Sequence, residues 1–262
     1  MKDYEKILHA FLDDYENSDD VIGAILCGSY ANGNNDEFSD IDVHIITRSD
    51  ISELERGNKK INDYLIEYYV TPISQIYKDL DEEYLEGGTC TANMIGYGKI
   101  LFDKTGEIEI LQQNAILYID KEIPSIKTEE IEMNKYSVWD FLDELKRCLI
   151  KDTKSFNIIY YKLLNIIFDS YLKYNQIPRL PITKVYDILT NEGYRINYHI
   201  FKLPDEKFKK LFLECYNVDR KDVMYNNIKT LIEYYYYKTG GFDINNFSLK
   251  EEIRKENIYE EY

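Results

Sequence analysis

Three stretches of the sequence carry residue types suited to chemistry: Gly28-Ser29, Asp40-Ile41-Asp42, and Glu67 within LIEYYV. Asp40 and Asp42 open the apolar run IDVHIIT, which reads as a strand. Alternation puts both carboxylates on one face, with Cα atoms roughly 6.5–7 Å apart, while Ile41, Val43 and Ile45 turn to the core. Two ionised carboxylates side by side repel each other, and a divalent cation between them removes the conflict. Oxygen ligands of this hardness suit Mg²⁺ or Mn²⁺, and bridging carboxylates can span the about 3.5–4 Å between the ions of a two-metal site. Glu67 lies mid-strand among apolar residues. An acid in that position stands at an edge, faces solvent, or is held by a partner. Opposite the aspartates it would bind metal or act as the general base that deprotonates an attacking hydroxyl; an ordinary solvent-facing glutamate is the alternative. His44 shares the face of Asp40 and Asp42 by alternation, and is expected to be a hydrogen-bonded structural histidine unless it approaches the site.

Gly28-Ser29 follows an apolar run directly, where a bare backbone lets a phosphate come close and a hydroxyl and amides can bond its oxygens. The sequence contains neither Gly-x-x-x-x-Gly-Lys-Ser/Thr nor Gly-x-Gly-x-x-Gly, so the usual mononucleotide-binding loops are excluded. What remains is a nucleoside triphosphate held through its phosphates by metal and a Gly-Ser turn.

The elements that must position these residues follow from periodicity. Residues 2–15 have helical spacing, VIGAILC is a buried strand, and a loop rich in Gly, Asn and Asp leads to IDVHIIT. A helical stretch is expected from Ile51, then the strand DYLIEYYVT closed by Pro72, then an acidic helix over 73–86 broken at Gly87-Gly88. YGKILFDKTGEIEILQQ reads as strand, turn and helix. The pattern is that of an α/β or α+β sheet domain over residues 1–120. DKEIPSIKTEE suits a linker, and residues 121–262 read as a helical domain, with two long helices followed by segments at about 182–192, 205–217 and 221–238. Tyr234 to Tyr237 point around most of a helix circumference, a mixture of core packing and surface or subunit contact. Residues 249–262 read as a terminal helix or a frayed tail.

The chain has 262 residues, 44 % of them hydrophobic, which is ample for burying real cores and excludes a disordered tail or a coiled rod. Residues 1–120 hold 25 acidic and nine basic side chains, and with them the entire net charge of −16. Such a field repels phosphate backbones and anionic membranes and attracts cations, so nucleic acid is a disfavoured partner. Cys27, Cys90, Cys148 and Cys215 are far apart and histidines number three, which argues against a disulfide framework or structural zinc. With no long apolar run and no basic-then-apolar leader, the chain is expected to be soluble, unsecreted and cytoplasmic.

GSYANGNNDEFSDIDVHII resembles the signature of the nucleotidyltransferase superfamily that includes DNA polymerase β. Among its branches the layout is most similar to the bacterial nucleotidyltransferases acting on lincosamides and aminoglycosides. The resemblance implies an α+β fold, a mixed-sheet nucleotidyltransferase domain followed by an all-α bundle. It also implies Mg²⁺ (or Mn²⁺) held by Asp40, Asp42 and Glu67, with Glu67 as base and Gly28 and Ser29 holding the triphosphate of ATP. By similarity to the streptomycin and spectinomycin adenylyltransferases, Lys162 and Lys184 would touch the phosphates; solvated helix faces explain them equally well.

The implied reaction moves AMP from ATP to a hydroxyl of a small molecule, an aminoglycoside or lincosamide, and releases pyrophosphate. An aromatic and acidic lining of Tyr68, Tyr69, Asp81, Glu82, Glu83 and Tyr84 would suit a cationic or amphipathic acceptor, although an acidic helix facing water explains the same letters. The rivals are transfer to a protein or tRNA and a relative that binds nucleotide without turnover. A hydrolytic metalloenzyme is disfavoured by the scarcity of histidines. Some such enzymes build their sites across a homodimer, with the Tyr-rich helix near residue 235 as a candidate interface.

Overall fold

The computed structural model describes residues 3–250; the expectation for the C-terminal tail falls, from residue 251 on, outside the described residues. The chain divides into two compact units. The first runs up to Pro124 and takes in Pro178–Lys202 as well; the second comprises Ser125–Ile177 and the chain from Leu203.

The first unit is built on a five-stranded sheet. Helix α1 (Asp3–Glu16) precedes strand β1 (Val21–Cys27), and short helix α2 (Gly28–Asn32) leads to β2 (Ile41–Thr47). Strands β3 (Glu55–Ile61) and β4 (Tyr64–Pro72) follow, then α3 (Ile73–Leu85), α4 (Cys90–Gly96), β5 (Lys99–Asp103) and α5 (Glu107–Asp120). The strand order is β3-β4-β2-β1-β5. Only the β2–β4 pair is parallel, so the sheet is mixed.

Both faces are covered, which is why β1 is buried at every position and reads as a continuous apolar run. On one face Leu8, Phe11 and Leu12 of α1 pack against Ala24, Leu26, Ile41, Val43, Ile45 and Ile66. On the other, Ile25, Cys27 and Ile46 meet Ile76 and Leu80 of α3, Ala92 and Ile95 of α4, and Leu111 of α5. The second face also receives Asp42 and His44, which alternate with the core residues of β2.

Two features depart from the sequence pattern. The helical stretch expected from Ile51 is instead strand β3, antiparallel to β4 through a two-residue turn at Asn62-Asp63, with Asn62 at φ 54°. Tertiary pairing overrides a run, ERGNKKI, whose charged residues suit an edge strand by discouraging further pairing. Helix α4 was not expected; Glu83 creates it by accepting hydrogen bonds from the backbone N–H groups of Cys90 and Thr91, at 2.6 and 2.7 Å.

Segment 178–202, expected within the helical domain, groups with the sheet. It contains α8 (Val185–Thr190) and α9 (Glu192–Asn197), after the helices α6 (Thr128–Ile150) and α7 (Phe156–Tyr174) of the second unit. Arg179 donates its backbone N–H to the Gly87 carbonyl at 2.9 Å, and Asn197 donates to Asn34 Oδ1 at 2.8 Å. The rings of Tyr97 and His199 stack at 3.5 Å between centroids.

The second unit packs α6 and α7 with α10 (Glu206–Glu214) and α11 (Lys221–Lys238). Its buried tyrosines find polar partners: Tyr160 donates to the Cys215 carbonyl at 2.7 Å, and Tyr235 shares a 2.7 Å hydrogen bond with Ser170. Of the tyrosine run, Tyr235 is fully buried and Tyr237 is 79 % exposed. Among the described residues no helix is long and apolar enough to cross a membrane.

The left-handed backbone at Asn62 makes the hairpin testable. Asn62→Val should cost about 1–2 kcal/mol, since a β-branched residue resists positive φ, while Asn62→Gly should be tolerated; urea unfolding of the two variants measures the difference.

Candidate active site

Parallel pairing sets Asp42 directly across from Glu67, and His44 across from Tyr69. Asp40 lies one residue before β2. One carboxylate oxygen from each of Asp40, Asp42 and Glu67 lies within 4.8 Å of the others, so the three acids converge. The Asp42 carboxyl is pushed up to about 6, first by burial and then by the charges of Asp40 and Glu67; the positive charge of Lys184 offsets part of this. Three hard oxygen donors around a carboxyl that is costly to ionise fit a small divalent cation, which would offset most of their negative charge.

The end of β1 meets this cluster. Cys27 pairs with Asp42 in the ladder, and the chain then turns at Gly28 with φ 62°. A Cβ at Gly28 would fall 1.9 Å from Asp42 Oδ2, so both backbone conformation and space demand glycine. Ser29 follows in the first turn of α2, and its carbonyl accepts the N–H groups of Gly33 and Asn34 at 3.0 and 3.1 Å. Asn34 in turn donates to the Tyr194 carbonyl at 3.4 Å, so α9 fastens the loop between α2 and β2.

Glu67 is neither at an edge nor free. Its Oε1 accepts the Tyr69 hydroxyl at 2.9 Å and lies 3.9 Å from Nε of Arg56. Arg56 stands on β3 and donates to the Tyr69 hydroxyl at 2.6 Å. It went unrecognised in the sequence because its stretch was expected to be helical, which hides the cross-strand neighbour. The hairpin turn Asn62-Asp63 was the available signal.

Lys184 belongs to the first unit, where its charge reaches Asp42 and its Nζ donates to the Tyr198 hydroxyl at 3.1 Å. Lys162 is an exposed residue of α7 in the second unit. His44 differs from the hydrogen-bonded histidine that was expected. Both ring nitrogens are shut away from solvent with no hydrogen-bond partner among the described residues. Burial, helped by the Arg56 charge, holds its pKa down at about 4, so the ring is neutral at pH 7.

The expected acceptor lining is not one surface. Tyr68 alternates away from Tyr69 to the α1 face, where its ring packs 5.2 Å from that of Phe11. Asp81 accepts the Tyr118 hydroxyl, Glu83 caps α4, and Tyr84 donates to the Glu122 carbonyl at 2.8 Å. These side chains tie helices together, and Glu82 is exposed.

Residues 5–89, which include all three acids and the Gly-Ser turn, match the family model of the nucleotidyltransferase domain. No curated protein matches the chain. Among solved structures, the chain is similar to a nucleotidyltransferase-like protein from Exiguobacterium sibiricum, at 9 % identity over 90 % of this chain and 77 % of that one, with a TM-score of 0.44.

The raised pKa of Asp42 has a definite sign. Between the unfolded value of 3.8 and about 6 the folded protein holds a proton that the unfolded chain releases, so stability falls as pH rises through that window and stays low above it. Asp42→Asn should therefore melt a few degrees higher (about 2–5 °C) than the wild type in metal-free buffer at pH 7. The gap should close towards pH 4 in thermal scans across pH.

Proposed function

We propose that this protein is a metal-dependent nucleotidyltransferase that moves AMP from ATP to a hydroxyl of a small molecule and releases pyrophosphate. The convergence of Asp40, Asp42 and Glu67 beside the Gly28-Ser29 turn carries this reading. The family match over residues 5–89 supports nucleotidyl transfer in general.

In this mechanism the Gly28-Ser29 turn receives the triphosphate, where the backbone is bare enough for close approach. Asp40, Asp42 and Glu67 would hold Mg²⁺ or Mn²⁺, which when bound supplies positive charge to the phosphate oxygens. The acceptor hydroxyl gives its proton to Glu67 and attacks the α-phosphorus; a new P–O bond forms as the bond to pyrophosphate breaks. Lys184, held at its tip by Tyr198, contributes the cation that meets the departing pyrophosphate. Lys162 is a second candidate for that task by resemblance.

For the acceptor we favour an aminoglycoside or lincosamide. The acidic first half of the chain would draw a cationic drug and oppose tRNA. The expected location is the cytoplasm, with neither nucleic acid nor membrane as partner and a homodimer as a candidate assembly.

Pyrophosphate release with Mg·ATP, measured with and without a panel of these drugs, tests the proposal. Acceptor-dependent release should vanish in Asp40→Asn and Asp42→Asn. Lys184→Gln should lower kcat by about ten- to a hundredfold. Release that is equal with and without every drug would remove the antibiotic assignment, and an active Asp42→Asn would remove the mechanism.

A further inference from the structure

Two rows of side chains cross the three strands β2, β4 and β3 on the site face. The first row is Asp42, Glu67 and Asn58, and the second is His44, Tyr69 and Arg56, each set in register. The second row is a stack. The His44 ring lies against that of Tyr69 with centroids 4.9 Å apart and planes 14° from parallel. The Arg56 guanidinium lies 4.5 Å from the centroid of the same ring. Tyr69 is thus gripped by a flat neutral ring from β2 and a cation from the edge strand.

The hydrogen bonds run one way. Arg56 donates to the Tyr69 hydroxyl oxygen, and that hydroxyl donates its proton to Oε1 of Glu67. The ion-pair approach of Arg56 is to the same Oε1. Both partners therefore take one oxygen of the carboxylate, and no hydrogen bond among the described residues engages Oε2.

We propose that His44, Tyr69 and Arg56 form a brace that fixes the rotation of the Glu67 carboxylate, so that it offers Oε2 alone to the space shared with Asp40 and Asp42. Tyr69 is a positioning residue acting through Glu67, and His44 serves as a stacking surface, which accounts for a buried imidazole that bonds to nothing. The brace rests on the assignment of the three acids as a metal site.

A carboxylate left to rotate would present either oxygen, or both, and the ligand set would lose its definition. Partners that orient a metal ligand typically matter about ten- to a hundredfold for affinity. The strand supplies an internal control: Tyr68, next in sequence and on the opposite face, makes a comparable hydrogen bond, to Oε1 of Glu55 at 2.7 Å.

Mn²⁺ binding to the nucleotide-free protein, followed by the loss of the free-ion electron paramagnetic resonance signal, tests the brace without any need for turnover. Tyr69→Phe, which keeps the ring and its stack, should weaken Mn²⁺ binding about ten- to a hundredfold while Tyr68→Phe stays within about twofold of wild type. Equal losses in the two tyrosine variants would mean a general loosening of β4 and overturn the proposal, as would unchanged affinity in Tyr69→Phe. If wild type binds Mn²⁺ and Tyr69→Phe weakens it, the brace stands even where no drug supports pyrophosphate release. If wild type binds no Mn²⁺, the metal assignment falls and the brace falls with it.

Discussion

Asp42 on β2 faces Glu67 on β4, and Asp40 brings a third carboxylate within 4.8 Å of both, so like charges share a space that water only partly reaches. Much of the first unit can be understood as making that crowding tolerable. The parallel β2–β4 pair creates the juxtaposition, and the covered second face of the sheet raises its electrostatic cost by keeping solvent out. Gly28 yields its side chain so that Asp42 has room. Arg56 and Tyr69 engage one oxygen of Glu67, and Lys184 brings a positive charge within reach of Asp42.

The same crowding opposes folding. A carboxyl pushed up to about 6 is a group that the unfolded chain ionises more readily, and the apolar clusters on both faces of the sheet must outweigh it. Such locally unfavourable groups are common where a protein binds a ligand of opposite charge, because the ligand recovers the energy that the empty site lacks. The acidic excess of the first 120 residues adds a long-range field of the same sign, which the charges of Arg56 beside Glu67 and of Lys184 acting on Asp42 offset locally.

Segment 178–202 shows how the second half of the chain contributes to the first. It reaches the sheet unit after α7 and fastens the loop between α2 and β2 through Asn34, whose partner Tyr194 is 160 residues away in sequence. It also carries Lys184 and the Tyr198 hydroxyl that receives its hydrogen bond. A helix of six residues has too little periodicity to declare which core it joins, and so a boundary near residue 120 was the natural expectation.

What the sequence determined by itself is local: the buried strands VIGAILC and IDVHIIT, the shared face of Asp40 and Asp42, the Gly-Ser turn, and the helices α1 and α3. These follow from a period of two or 3.6 residues and from the special backbone freedom of glycine, both properties of neighbours in the chain. Only the tertiary structure decided that ERGNKKI is a strand, that His44 stacks rather than bonds, and that Lys184 belongs to the sheet unit, where its charge reaches Asp42. Each of these depends on register between separate strands or on contacts between distant segments. A one-residue shift in register would exchange every side chain between faces, and composition alone does not encode that choice.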